Sequence, residues 1–248
     1  MVPTRTLLSK MLRWPFSLIP SDTEVRILRG PLRGKKWVKG SGPNAYWVGT
    51  YEVARLREFA GVLKQGDVVY DVGANVGIYT LHAGFGVGAS GWVYAFEPLA
   101  RNLHYLRQHV RLNNLQNCTI VENAICNQEG TLAFSAAGWD PSMARICAEG
   151  EISVPSTTLD ICVYGKKHLR PPNVVKIDVE GAESEVLKGA TRTISEFHPT
   201  MFLEIHGTEL HRDCRDFLLA KEYRVEEAYG QLTATWNPAN GWQSSTFG

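Results

Sequence analysis

The sequence predicts an α/β fold in which a doubly wound, mostly parallel sheet ends in a C-terminal antiparallel hairpin and follows a short N-terminal elaboration. Three observations predict it. Short apolar runs of strand length alternate with amphipathic helical segments from residue 51 onward, which is typical of a parallel sheet covered by helices on both faces. The chain has 248 residues, a length that suits one large α/β domain. Hydrophobic residues make up 44% and charged residues 21%, as in ordinary globular proteins.

The elements follow in chain order. Residues before 51 are rich in glycine, proline and tryptophan, which favours short strands joined by turns, so we divide the chain into an N-terminal arm with short strands, 1–50, and a main domain, 51–248. Apolar runs predict strands at 67–72, 92–96, 119–122, 131–135, 152–154, 173–179 and 200–206. Helical spacing predicts helices at 51–63, from 78 onward, and at 102–112, 182–194 and 209–220. The segment 223–236 predicts a hairpin that turns near Gly230.

Charge and hydropathy limit the classes of partner. Basic and acidic side chains number 26 and 25, so the formal net charge is +1 and no overall field attracts nucleic acid. The longest apolar runs fall short of the roughly 18–20 residues that cross a bilayer, so we expect no integral membrane segment. Residues 1–20 carry basic side chains, and polar residues interrupt any uniform apolar stretch there. This pattern predicts an amphipathic or irregular arm, with contact to a membrane surface as the alternative.

The cysteines favour a reducing compartment. The five cysteines are scattered without any Cys-x-x-Cys pair, and no histidine cluster has the spacing of a zinc site. We therefore expect unpaired thiols and a cytoplasmic protein.

A glycine-rich loop follows the first strand of the main domain. It runs from Asp71 through Gly73 and Asn75 to Gly77, and its glycines allow a ligand to approach the backbone. A dinucleotide fingerprint needs Gly-x-Gly-x-x-Gly, which this spacing does not provide, so hydride transfer loses support. Asp71 would lie awkwardly beside a phosphate but suits a cationic ligand, such as an amino group or a sulfonium. The alternative is a strand–helix turn without a ligand.

Polar residues also follow the next two strands. Glu97 comes directly after the strand at 92–96, where a carboxylate can accept hydrogen bonds from both hydroxyls of a ribose. The alternative for Glu97 is an acid at a helix N-terminus, favoured by the helix dipole. Asn123 follows the third strand and is placed to contact an adenine edge, or to lie in a surface turn. Two strand-end acids in register favour a nucleoside ligand.

The motifs together resemble those of a known family. DVGANVG (71–77), VYAFEP (93–98), VENAI (121–125), TTLD (157–160) and KIDVEGAE (176–183) are similar to the FkbM family of S-adenosylmethionine-dependent methyltransferases, with the last motif the most specific. The resemblance covers about residues 51 to 230 and implies a Rossmann-like class I methyltransferase that binds S-adenosyl-L-methionine. It implies cofactor contacts at the methionine end, the amino group, the ribose and the adenine, and the expected cofactor-binding residues are Glu52, Asp71, Gly73, Asn75, Gly77, Glu97, Asn123 and Asp178.

Two later strands carry the candidate catalytic residues. Methyl transfer to a hydroxyl needs a positioned acceptor and a group that removes a proton. The strand pattern places Lys176, Asp178 and Glu180 on one face, and Glu204 and His206 share a face of the next strand. We expect His206 to be the general base because an ordinary histidine is partly neutral near pH 7, with Asp178 orienting the acceptor and Glu204 as a further candidate. One alternative is a structural Lys176–Glu204 ion pair. The other is a Mg²⁺ site formed by Asp178, Glu180, Glu204 and His206.

The expected function is S-adenosylmethionine-dependent O-methylation of a small molecule, natural product or sugar. The hydroxyl acceptor is implied by the resemblance, and N-methylation or a macromolecular acceptor is the alternative within the same chemistry. From other classes, an NAD-dependent oxidoreductase is disfavoured by the missing third glycine, and a non-catalytic binding module is disfavoured by the intact strand-end acids. A loop at 138–145, which includes Trp139, is the expected acceptor-side loop. Partners are expected to be small-molecule or glycan acceptors, and the sequence does not predict the oligomeric state.

Overall fold

The computed structural model describes residues 19–135, 145–146, 150–166, 168–228 and 230–236. The arm up to residue 18 and residues 138–144 of the expected acceptor loop lie outside these ranges. Within them the strands are β1 Glu24–Arg26, β2 Lys36–Val38, β3 Val68–Val72, β4 Trp92–Phe96, β5 Cys118–Val121, β6 Ala124–Ile125, β7 Gly130–Ser135, β8 Arg145–Ile146, β9 Ile152–Thr157, β10 Val174–Ile177, β11 Thr200–Glu204, β12 Tyr223–Ala228 and β13 Gln231–Trp236. The helices are α1 Ala45–Val48, α2 Val53–Val62, α3 Ile78–Val87, α4 Ala100–Leu112, α5 Leu159–Tyr164, α6 Glu183–Lys188, α7 Thr191–Phe197 and α8 Thr208–Ala220, and a 3-10 turn spans Lys39–Ser41.

The central sheet contains β12, β13, β11, β10, β3, β4 and β5, in that order. Neighbouring strands from β11 to β5 are parallel, whereas β13 is antiparallel to both of its neighbours. The predicted fold class, including the C-terminal hairpin, is confirmed. The chain passes from β3 to β4 and β5 on one side and later to β10 and β11 on the other. The carboxyl ends of β3 and β10 therefore flank the point where the strand order reverses, the usual ligand site in such sheets.

The pleat of β3 explains why both faces of the sheet are buried. Val68, Tyr70 and Val72 point into one apolar cluster, and Val69 points into the cluster on the opposite face. Residues of α5, α6, α7 and α8 complete the first cluster, and residues of α2 and α3 complete the second. All five residues of β3 are buried, as expected for a central strand covered on both faces.

The N-terminal segment packs into the same core as the sheet. Trp37 of β2 is fully buried, and its ring stacks on His109 of α4 with 3.7 Å between ring centroids. The backbone N–H of Val38 donates to Nε2 of the same histidine at 3.0 Å. Helix α1 was not predicted, because four residues are too few to show a helical period. The division of the chain at residue 50 stays a prediction.

One predicted helix is wrong. The segment 182–194 forms two helices, α6 and α7, which are separated at Gly189 and Ala190. The backbone of Gly189 passes so close to Cys126 that a Cβ atom on it would lie 2.0 Å from the Cys126 carbonyl oxygen. Its own carbonyl accepts a hydrogen bond from the N–H of Asp160. Tertiary contacts therefore fix the break, and helical periodicity alone does not reveal it.

A second, smaller sheet lies beside the carboxyl end of β5. Its strands are β6, β9, β7 and β8, in that order. The sequence predicts strands within 131–135 and 152–154 but not their separate sheet. Ala124 and Phe134 belong to its apolar cluster, and this sheet places them at one of the clefts described below.

The helices are short relative to a bilayer. The two longest, α4 and α8, have 13 residues each, whereas a membrane span takes about 20. None of the helices in the described ranges is long and apolar enough to cross a membrane.

Candidate active site

Two adjoining clefts open at the carboxyl ends of β3, β4, β10 and β11. The first, here the Glu97 cleft, has a volume of about 580 Å³ and is lined by Glu97, Leu99, Asn102, Asn123, Ala124 and Phe134. The second, here the Tyr51 cleft, has a volume of about 690 Å³ and is lined by Tyr46, Tyr51, Tyr79, Lys176, Glu204 and His206. Both clefts share the residues Gly73, Asn75, Asp178 and Glu180. The loops after β3 and β10 therefore line both clefts, and the two clefts together are here called the groove.

The glycine loop after β3 forms the boundary between the clefts. Gly73 has a φ of 78°, and a Cβ atom on it would lie 1.8 Å from the carbonyl oxygen of Asp178. Gly77 has a φ of 97°, and a Cβ atom there would lie 2.6 Å from Leu106. Both positions require glycine because of conformation and close approach together. Helix α3 begins at Ile78, directly after the loop.

Glu97 is buried and held by donors at the edge of the first cleft. Its Oε2 accepts the N–H of Asn75 at 2.8 Å, and its Oε1 accepts the N–H of Leu99 at 2.9 Å and the amide of Asn102 at 3.3 Å. Burial raises the pKa of Glu97 to about 7, although these hydrogen bonds act in the opposite direction. Because a carboxylate has about four lone-pair positions, the fixed side chain keeps room for a hydroxyl donor from a ligand.

The remainder of the Glu97 cleft is mostly apolar. Leu99, Ala124 and Phe134 contribute apolar surface, and Asn123 contributes an amide. The backbone N–H of Asn123 donates to the carbonyl of Val121, which fixes the turn after β5. An apolar slot with one polar edge suits a flat heteroaromatic ring.

Asp71 is buried beneath the loop and does not line either cleft. Its Oδ2 accepts a hydrogen bond from Thr80 at 2.6 Å, whereas its Oδ1 has no hydrogen-bond partner among the described residues. Burial raises the pKa of this carboxyl. In the sheet register Asp71 lies opposite Lys176 of β10, so a basic side chain accompanies it. Direct contact between Asp71 and a ligand stays a prediction.

Lys176 forms a buried ion pair with Asp178. Its Nζ lies 2.9 Å from Oδ2 of Asp178 and 4.6 Å from the ring centroid of Tyr79. Burial alone would lower the pKa of Lys176, but the carboxylates of Asp178 and Asp71 outweigh it and raise that pKa. Strand β10 ends at Ile177, so Asp178 begins the loop. The alternative of a Lys176–Glu204 salt bridge is replaced by this pair.

His206 lies between two carboxylates. Its Nδ1 lies 3.1 Å from Oε1 of Glu183, and its Nε2 lies 3.6 Å from Oε2 of Glu180. The hydrogen bond with Glu183 raises the pKa of His206 to about 9, against the opposing effect of burial. The imidazole therefore carries a proton at neutral pH. The premise that favoured His206 as general base, an ordinary histidine pKa, does not hold here.

Glu204, unlike His206, can accept a proton near neutral pH. Burial raises its pKa to about 7, and the nearby charges of Asp178 and Glu52 act in the same direction. Its Oε2 is inaccessible to solvent and has no hydrogen-bond partner among the described residues. A carboxylate that titrates near neutrality in a cleft is suited to accept a proton.

A tyrosine wall closes the second cleft, and sequence reasoning did not identify it. The rings of Tyr46 and Tyr51 meet edge to face with 4.5 Å between centroids. The hydroxyl of Tyr79 donates to Oε2 of Glu52 at 2.8 Å. Burial, followed by the neighbouring Tyr46 and Glu52, raises the pKa of Tyr51, so the phenol stays neutral. Glu52 thus lies behind the wall, and no local pattern in the sequence signals that these rings converge.

Three of the seven described non-glycine residues with a positive φ lie at or beside the groove. Glu52, Asn75 and Glu180 adopt the left-handed region, with φ values of 38°, 51° and 56°. Non-glycine residues seldom adopt this region, and such residues occur preferentially at functional sites.

Ligand atoms of Asp178, Glu204 and His206 lie within 4.8 Å of one another, a separation that a metal ion can bridge. The donor set fits a metal poorly. Asp178 already pairs with Lys176, and His206 is protonated at neutral pH, whereas a metal ligand must be deprotonated.

Comparison with known proteins gives a family match. The model of the methyltransferase FkbM domain matches residues 71–225, more than half of the 248 residues. A hexuronic acid methyltransferase, AglP of Haloferax volcanii, is 28% identical over 172 residues, which cover 63% of this chain and 67% of that protein.

Solved structures share the fold. The methyltransferase FkbM from Methylobacillus flagellatus superimposes with a TM-score of 0.53 at 19% identity, covering 77% of this chain and 53% of that one. The precorrin-6y C5,15-methyltransferase from Geobacter metallireducens superimposes with a TM-score of 0.51 at 15% identity, covering 75% of this chain and 90% of that one. The chain therefore spans about half the length of the first of these proteins.

Proposed function

The chain belongs to the FkbM methyltransferase family, and from this premise we propose that it transfers the methyl group of S-adenosyl-L-methionine to a hydroxyl oxygen of a small molecule, natural product or sugar. The observation that carries the proposal is that the Glu97 cleft and the Tyr51 cleft adjoin and share four lining residues. One half suits a nucleoside and the other combines aromatic rings with carboxylates. Membership of a methyltransferase family also sets aside the oxidoreductase alternative.

The residues present fit this cofactor. Glu97 is placed to accept a ribose hydroxyl, because backbone and amide donors already fix its carboxylate. The Asn123 end of the same cleft would take the adenine. The loop from Gly73 to Gly77 and the residue Asp178 would hold the methionine end, with Glu52 and Asp71 supplying negative charge nearby. When bound, S-adenosylmethionine supplies an electrophilic methyl carbon on a cationic sulfur.

Glu204 is the proposed proton acceptor. The acceptor oxygen forms the new C–O bond as the C–S bond breaks, its electron pair going to sulfur, and Glu204 takes the hydroxyl proton. Its pKa, raised to about 7, balances basicity against the fraction that is ionised at neutral pH. S-adenosylhomocysteine and the methylated acceptor are the products.

Asp178 and His206 have complementary roles in this proposal. Asp178, fixed by Lys176 at 2.9 Å, orients the acceptor beside the cofactor. His206 supplies positive charge beside the carboxylates of Glu180 and Glu183, and it does not remove the proton. The Lys176 ammonium neutralises the negative charge of Asp178.

A cytoplasmic location is proposed with the activity. The four cysteines in the described part of the chain are free thiols, and they are Cys118, Cys126, Cys162 and Cys214. Free thiols persist in a reducing compartment.

Mass spectrometry with an isotope-labelled methyl donor tests the activity. The purified chain is incubated with labelled S-adenosylmethionine and a panel of alcohols, sugars and amines. The proposal expects the label on an oxygen of an alcohol or a sugar. Label found only on nitrogen would contradict it and support the N-methyltransferase alternative.

A further inference from the structure

The basic side chains that line the Tyr51 cleft are already paired. In the described part of its lining these are Lys176 and His206. Lys176 contacts Asp178 at 2.9 Å, and His206 contacts Glu183 at 3.1 Å. No arginine is present in that lining. A substrate carboxylate is normally bound by an available arginine or lysine, and this lining offers none.

Acidic groups outnumber the basic ones in the same cleft. Asp178, Glu180 and Glu204 line it, and Glu52 lies just behind Tyr79. Burial is the main cause of the upward pKa shift of Glu204, and the negative charges of Asp178 and Glu52 add to it. An incoming carboxylate would meet the same repulsion, because like charges brought together across a binding surface oppose association.

The other components of the cleft suit a neutral ring. Carboxylate oxygens are acceptors only, so they pair with hydroxyl groups, which donate. The Tyr46 and Tyr51 rings present an apolar wall against which the C–H face of a sugar can pack. Aromatic walls and carboxylate acceptors together recognise a ring rich in hydroxyls.

We infer that the methyl acceptor presents an uncharged, hydroxyl-bearing ring to the Tyr51 cleft, and that a carboxylate on this ring is selected against. The inference rests on the proposed O-methylation and specifies its substrate class. The Haloferax volcanii relative is named for a hexuronic acid, and the acceptor inferred for this chain differs from a hexuronic acid in the charge of its ring.

Matched acceptors test the inference. Methyl hexopyranosides of gluco, galacto and manno configuration are compared with the corresponding hexuronates and hexuronamides, and S-adenosylhomocysteine release is measured at pH 8. We expect kcat/KM for at least one neutral hexoside to exceed that for its uronate by about tenfold or more. The uronamide, which keeps the shape without the charge, is expected to behave like the neutral hexoside.

Two results would overturn the inference. The first is a uronate that is used as well as its hexoside and its uronamide; this leaves the proposed methyl transfer intact. The second is the absence of methylation of every neutral ring. In that case S-adenosylhomocysteine binding, measured separately by calorimetry, shows whether the proposed function fails as well.

A charge variant provides a second readout. Pro43 is an exposed residue at the edge of the cleft. Pro43→Arg adds a cation there, and it is expected to raise the uronate-to-hexoside ratio of kcat/KM several-fold, because a rim charge acts mainly on encounter. Pro43→Ala is the matched control and leaves the ratio unchanged. The same ratio in both variants would show that charge does not determine selection.

Discussion

The imidazole of His206 lies 3.1 Å from the carboxylate of Glu183, a side chain with no exposed surface. This contact raises the pKa of His206 to about 9 and keeps the ring protonated at neutral pH. A protonated histidine cannot remove a proton from an alcohol. We therefore propose Glu204, whose pKa is raised to about 7, as the base.

Replacement of Glu204 by glutamine is expected to lower turnover severely. The amide keeps the shape but cannot take a proton, so kcat should fall by about 10²–10⁴-fold. Affinity for S-adenosylhomocysteine should stay within about threefold of wild type, because binding does not need the base. Glu209→Gln, on the exposed first turn of α8, is the control and keeps wild-type kinetics. Wild-type turnover by the Glu204→Gln variant would remove Glu204 from the mechanism.

The pH profile should follow the same carboxyl group. Below its pKa of about 7 Glu204 is protonated and cannot act as base, so kcat/KM is expected to rise with pH through about 7. Steady-state kinetics between pH 5.5 and 8.5, an interval of about three units, measure this limb. If the limb persists unchanged in the residual activity of Glu204→Gln, another group controls it.

The His206–Glu183 contact should make stability depend on pH at the alkaline side. The pKa of His206 is raised from 6.5 to about 9, so its contribution is fully present below pH 6.5 and is lost as pH rises through 9. Allowing for the partial exposure of the ring, we expect the free energy of unfolding of the wild type to fall by about 1 kcal/mol more than that of His206→Gln between pH 6 and 10. Urea unfolding at several pH values measures the difference. Parallel stability curves would contradict the proposed charge state.

The glycine loop gives a conformational prediction. Gly73→Ala places a Cβ atom against the Asp178 carbonyl at a φ of 78°, so the loop must move and S-adenosylhomocysteine affinity should fall by about a hundredfold. Gly61→Ala in α2 is the control: nothing lies within 4 Å of the added atom, so affinity is unchanged. Helix propensity should raise the free energy of unfolding of this control by about 0.5–1 kcal/mol. Isothermal calorimetry measures S-adenosylhomocysteine affinity in both variants. Retained affinity in Gly73→Ala would refute the role of the loop in cofactor binding.

Local patterns were sufficient to predict much of the fold. Alternating apolar runs located the strands of the central sheet, because a buried parallel strand is apolar on both faces. The same reasoning placed Glu97 and the Gly73 loop at strand ends, and the structure lines the groove with both. These features depend on neighbours in sequence, so the sequence alone was sufficient to predict them.

Contacts between distant segments could not be predicted from local sequence patterns. Glu183 and His206 are 23 residues apart, and no periodicity indicates that a buried carboxylate meets the imidazole. The Tyr46–Tyr51 wall depends on how the N-terminal segment packs against the sheet. The break at Gly189 likewise depends on the passing backbone of Cys126.

The central claim is that Glu97 and the loop after β3 hold the nucleoside while Glu204 faces the reacting centre. A crystal structure of the chain with S-adenosylhomocysteine tests it most directly. The account predicts a Glu97 oxygen at hydrogen-bond distance, about 2.6–3.2 Å, from a ribose hydroxyl, with the thioether sulfur in the Tyr51 cleft. A nucleoside bound elsewhere, or a ribose without contact to Glu97, would contradict it.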